Sequence, residues 1–243
     1  WFTHTIGITI LRLTIMNNPK QLTFPWNKAY KSSFDNFYVD PSNVELIAAV
    51  TDLSQPDDIF IYGNQDSGKT YLLQSLCNAY SREGRSSLYI PLKEVISYGV
   101  SILDSIEAMD LVCLDGLESI ISDGEWEKGI FNLINNSLYS ECRLVFAASL
   151  ETGSLSFSLP DLESRLRKLN SYELLPIHQD NLLEALKSIA KLRSIDLGDK
   201  EAQYLLTYTK RNISDLVSIL ESLDQLSMEM KRRITIPLIK ELL

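Results

Sequence analysis

Gly63-Asn64-Gln65-Asp66-Ser67-Gly68-Lys69-Thr70 matches the pattern G-x-x-x-x-G-K-[ST] at every fixed position. Each residue type has a physical task there. Gly63 and Gly68 let the backbone turn tightly and bring N–H groups up to phosphate oxygens. The helix expected to start here points its positive end at the same anion. Lys69 supplies a cation for the outer phosphates, and the Thr70 hydroxyl is a candidate ligand for Mg²⁺.

The flanks suit this reading. Residues 58–62 form a short apolar strand candidate, and Tyr71, Leu72, Leu73, Leu76 and Ala79 recur at helical spacing behind the turn. Further on, residues 111–114 are a continuous apolar run closed by Asp115, as expected of a strand buried on both faces of a parallel sheet. Asp115 is the candidate acid that holds Mg²⁺ through water, beside Thr70. ATPases of this type usually carry a second acid directly afterwards to orient the attacking water. Here that position is Gly116, with Glu118 two residues on, so nucleotide binding is better supported than turnover.

Other strands are expected at 87–90, at 144–148 and at Leu174-Leu175, with helices led by Pro41-Ser42-Asn43 and over 126–138. Strands thus alternate with helices to about residue 176, which predicts an α/β fold with a parallel sheet between helices. Helical segments near 179–193, 199–209, 213–229 and 235–243 predict a small all-helical lid. The expected division is an α/β nucleotide-binding domain over 41–176 and a lid over 177–243. A flexible tail over 16–40 precedes them. Residues 1–15, apolar but interrupted by Arg12 and too short to span a bilayer, are expected to be an upstream extension before a natural start at Met16.

The bulk numbers narrow the function. Among 243 residues there are 32 Asp and Glu against 23 Lys and Arg, a net charge of −9. That balance disfavours sequence-independent DNA binding. The basic clusters Arg165, Arg167, Lys168 and Lys231-Arg232-Arg233 also fit solvated helix faces. The three cysteines, Cys77, Cys113 and Cys142, have no metal-binding spacing and fit a reducing, cytoplasmic compartment.

Several longer stretches carry a resemblance: SFDNFYVDPSN, YGNQDSGKTYLL, LVCLDGLESI, GEWEKGIFNLIN, LPDLESRL and RRITIPLIKELL. Together they are similar to the Hda family, DnaA-related members of the AAA+ P-loop ATPases, over about residues 17–243. The resemblance implies ADP or ATP with Mg²⁺ as cofactor, and DnaA initiator and the polymerase III sliding clamp as partners. It also implies negative control of replication initiation by stimulating hydrolysis of DnaA-bound ATP.

By the same resemblance, Gln21, Leu22, Phe24, Pro25 and Trp26 match the clamp-binding peptide, a segment with apolar plugs for a preformed groove. Arg165 matches an arginine finger acting in trans. Ser149 stands at the strand-end sensor position, where relatives carry an acidic residue. Ser214 stands where the lid normally brings a sensor arginine, with Arg211, one helical turn earlier, as candidate substitute. After the TIP of residues 235–237 there is no room for the helix-turn-helix domain of initiators, so direct sequence-specific DNA binding is not expected. No membrane partner is expected, and a homo-oligomer stays open. The alternative reading is an autonomous ATPase of the helicase-loader or initiator type.

Overall fold

A computed structural model describes residues 32–54, 57–150 and 155–243. Five strands are found among the described residues: β1 (Ile59–Gly63), β2 (Ser87–Pro91), β3 (Leu111–Asp115), β4 (Arg143–Ser149) and β5 (Asn170–Glu173). All pair in parallel in the order β2-β3-β4-β1-β5. The chain leaves β1 for the outer β2 and returns across the sheet. The carboxyl ends of β1, β3 and β4 are thereby gathered at one rim, where open α/β sheets bind ligands.

Period-two alternation divides the core into two layers. Val112, Leu114, Leu144, Phe146 and Ala148 face α3 (Leu92–Val95), α4 (Gly124–Ser137) and α5 (Pro160–Leu166). Leu111, Cys113, Val145, Ala147, Ile59 and Ile61 face α1 (Val44–Thr51) and α2 (Lys69–Arg82). The central strands have no solvent face, which is why they read as unbroken apolar runs. The three cysteines are free and buried.

The last strand differs from expectation. It is the polar Asn170–Glu173, paired among the described residues with β1 alone, and not Leu174-Leu175. An edge strand needs no apolar face. Leu174 follows it, buried, and donates its N–H to Tyr62 O at 2.7 Å. Residues 32–40, expected in the flexible tail, are also packed. Asn78 Nδ2 donates to Ser32 O at 2.6 Å, and Phe37 stands 5.8 Å from the Tyr71 ring. Their aromatic side chains find burial against α2, which outweighs the lack of any periodic pattern.

Beyond the sheet, α6 (Leu182–Leu192), α7 (Asp199–Tyr208), α8 (Ile213–Met230) and α9 (Ile236–Leu242) enclose their own apolar core around Leu186, Leu205, Leu216 and Leu220. Among the described residues, no helix is long and apolar enough to cross a membrane.

Candidate functional site

The candidate phosphate turn, residues 63–70, connects β1 to α2. Gly63 is required by a close approach: a Cβ there would lie 2.5 Å from Leu174 O. Gly68 has φ +103°, a left-handed conformation that admits glycine freely, and it sits at the N-cap of α2. The first intrahelical bond runs from Leu72 N to Gly68 O, so the preceding amides point out of the helix start.

Lys69 is 5% exposed. Its ammonium donates to Gly63 O at 3.0 Å, Asn64 O at 2.6 Å and Ser67 Oγ at 3.3 Å. Burial lowers its pKa, while the negative charges of Asp115, Glu118 and Asp66 pull it back up. Thr70 Oγ1 donates to Asp115 Oδ2 at 2.6 Å, across 45 residues of sequence. The same oxygen accepts from the Tyr89 phenol at 2.8 Å. One hydroxyl, one carboxylate and one lysine thus converge at the carboxyl ends of β1 and β3. A hard oxygen donor pair of this kind suits Mg²⁺.

Ser149, at the end of β4, pairs with Gly63 and donates its N–H to Glu118 Oε2 at 2.9 Å. Glu118 therefore stands at the same rim. Sequence spacing alone did not fix that, because the bond spans 31 residues.

Between the turn and the lid lies a mainly apolar cavity. Phe37, Gly68 and Leu174 line one side, with Ile189, Arg193 and Ser214 on the other. Ser214 Oγ donates to Asp66 O at 2.9 Å, so the lid touches the turn directly. Arg211 is not brought to this cavity: its Nε donates to Leu206 O within the lid. Arg193, absent from the sequence reading, lines the cavity and is ion-paired with Glu221. Nothing in its spacing distinguished it from a solvated arginine at a helix end.

Arg165 lies in the last turn of α5, half-buried. Its helix is fixed from below by Glu127, which is fully buried on α4. Glu127 accepts from Ser122 N at 2.9 Å, Ser158 N at 3.1 Å and Leu159 N at 2.7 Å. Gln21, Leu22, Phe24, Pro25 and Trp26 lie outside the described residues.

Residues 179–243 match the family described as the Hda lid domain. An uncharacterized protein of Haemophilus influenzae is 34% identical over 229 residues, covering 92% of this chain and 98% of the relative. Domain III of the Thermotoga maritima replication initiation protein DnaA superposes with a TM-score of 0.71 at 18% identity, over 87% of this chain and 95% of that one. AMPPCP-bound DnaA from Aquifex aeolicus gives a TM-score of 0.67 at 22% identity, over 80% of this chain and 65% of that one. With a parallel sheet carrying the phosphate turn and a helical lid closing over it, this chain belongs to the Hda-like, DnaA-related AAA+ proteins.

Proposed function

We propose that the chain binds ADP or ATP with Mg²⁺ between the α/β layer and the lid, and acts on DnaA-bound ATP as a negative regulator of replication initiation. The observation that carries the nucleotide reading is the Thr70–Asp115 hydrogen bond of 2.6 Å, made on the same turn whose Ser67 and Gly68 line the cavity shared with the lid. In this reading the amides from Gly68 onward and Lys69 hold the phosphates, and Thr70 and Asp115 hold the metal. Mg²⁺ neutralises charge on the phosphate oxygens when bound. The apolar walls around Phe37, Leu174 and Ile189 receive the base.

Arg165, in the last turn of α5, is the candidate arginine finger by family resemblance, used in trans on nucleotide held by a DnaA partner. An arginine in that position is worth about 10³–10⁵ in rate. Residues 21–26 tether the protein to the sliding clamp on DNA, which raises its concentration near the initiator. The protein works in the cytoplasm and reaches the nucleoid through the clamp. Arg165→Ala is expected to abolish stimulated hydrolysis while clamp capture persists. Unchanged stimulation would exclude the finger. Loss of clamp capture on deleting residues 21–26 tests the tether.

A second reading, an autonomous ATPase, is favoured by one observation. Glu118 is anchored by the Ser149 amide at the rim, close enough for its charge to act on Lys69. Steady-state turnover by the isolated chain that is lost in Glu118→Gln would favour it.

A further inference from the structure

Tyr89, in the middle of β2, joins two environments. Its ring packs in the same apolar layer as Leu72, Leu73 and Cys113, and the residue is 8% exposed. In the strand register Tyr89 stands beside Cys113, and Asp115 stands beside Pro91, two residues further on. The side chain therefore leans along the strand toward the carboxyl rim. There its hydroxyl donates to Asp115 Oδ2 at 2.8 Å. A phenylalanine could fill the same packing space. Only the hydroxyl reaches the carboxylate.

Asp115 Oδ2 accepts two hydroxyls, from Tyr89 and Thr70, while Oδ1 accepts no hydrogen bond from the described residues. The two donors differ in kind. Thr70 is itself a candidate cation ligand, exposed at the start of α2. Tyr89 is anchored in the core by its ring and meets the carboxylate as a hydrogen-bond donor. We propose that Tyr89 is a positioning residue for the metal site: its phenol fixes the rotation of the Asp115 carboxylate so that Oδ1 is presented to a divalent cation shared with Thr70. The assignment rests on the nucleotide reading above. Mg²⁺ demands near-ideal octahedral geometry and keeps several of its waters, so a freely rotating carboxylate is a poor partner for it. Groups that orient metal-binding side chains typically change metal affinity 10–100-fold.

The test is a calorimetric titration of the full chain with ADP, with Mg²⁺ and with EDTA, for the unaltered protein, Tyr89→Phe and Asp115→Ala. Thermal unfolding is followed alongside. The ratio of the two affinities gives the Mg²⁺ gain. Tyr89→Phe is expected to keep the EDTA affinity and the unfolding temperature while the Mg²⁺ gain falls about tenfold. Asp115→Ala is expected to lose the gain. A gain in Tyr89→Phe within about twofold of the unaltered chain overturns the role of Tyr89 and leaves nucleotide binding standing. Equal loss in EDTA and in Mg²⁺ assigns the tyrosine to packing alone and also overturns it. An unaltered chain that binds no ADP overturns both readings, and one that binds ADP without any Mg²⁺ gain overturns only this one.

Discussion

Asn181 Nδ2 donates to Asp40 Oδ2 at 3.0 Å, joining the turn before α6 to the segment before α1. The Asp40 carboxylate also accepts from Ser42 N, Ser42 Oγ and His178 N. The Asn181 bond is the main cause that brings its pKa down to about 2, against burial, which raises it. A lowered acid pKa stabilises the fold above the unfolded value of about 3.9, and the benefit is lost as pH falls toward the folded value. Asp40→Ala is therefore expected to melt earlier than the unaltered chain at pH 7. The difference should close between about pH 4 and 2, as followed by thermal melts across pH.

Asp58 behaves in the opposite sense. Burial pushes its carboxyl up to about 6, against the Leu144 amide and the Arg143 charge, which lower it. Stability tied to its protonated form is full below about pH 4 and is lost as pH rises through about 6. Asp58→Asn keeps an oxygen for the Leu144 amide and carries no charge. It is expected to gain about 1–3 kcal/mol at pH 8 and little at pH 4, measured by urea unfolding at both values.

Arg143 is 1% exposed at the start of β4. It donates to Asp57 O at 3.1 Å, Asp52 O at 3.3 Å and Ala49 O at 3.1 Å, satisfying carbonyls at the end of α1 and just before β1. Arg143→Met removes the donor to these carbonyls, a loss of about 1–3 kcal/mol for each one that stays buried without another donor. Denaturant titration should show a chain destabilised by several such increments, and Arg143→Lys should recover part of the loss.

Glu127→Ala removes the acceptor for the Ser122, Ser158 and Leu159 amides at once. Hydrogen exchange at Ser158 and Leu159 is expected to speed up well before global unfolding. The α2 amides should stay protected, since Glu127 lies on the opposite face of the sheet.

Legibility in the sequence followed the physics of each element. The phosphate turn could be read because its glycines and lysine are demanded by the turn itself. β3 and β4 stood out because burial on both faces leaves no polar position to interrupt them. The lid helices showed their period because each hides one face in a shared core. β5 was hidden, since an edge strand such as Asn170–Glu173 is held by backbone pairing and Leu174 only follows it. Residues 32–40 were hidden because they dock through isolated side chains such as Phe37. At the site, motif spacing named Thr70, Asp115 and Glu118 as candidates, whereas Tyr89 meets Asp115 only through the pairing of β2 with β3 and Arg193 reaches the cavity only through the lid.

The lid meets the phosphate turn through a main-chain oxygen: the Ser214 hydroxyl rests on the carbonyl of Asp66, a residue at φ +60°. Such an attachment is blind to the chemistry of side chain 66 and sensitive to its torsion. Asparagine or glycine would hold the oxygen where it is, while valine or isoleucine, which shun that torsion, would swing it away and leave the lid without its stop.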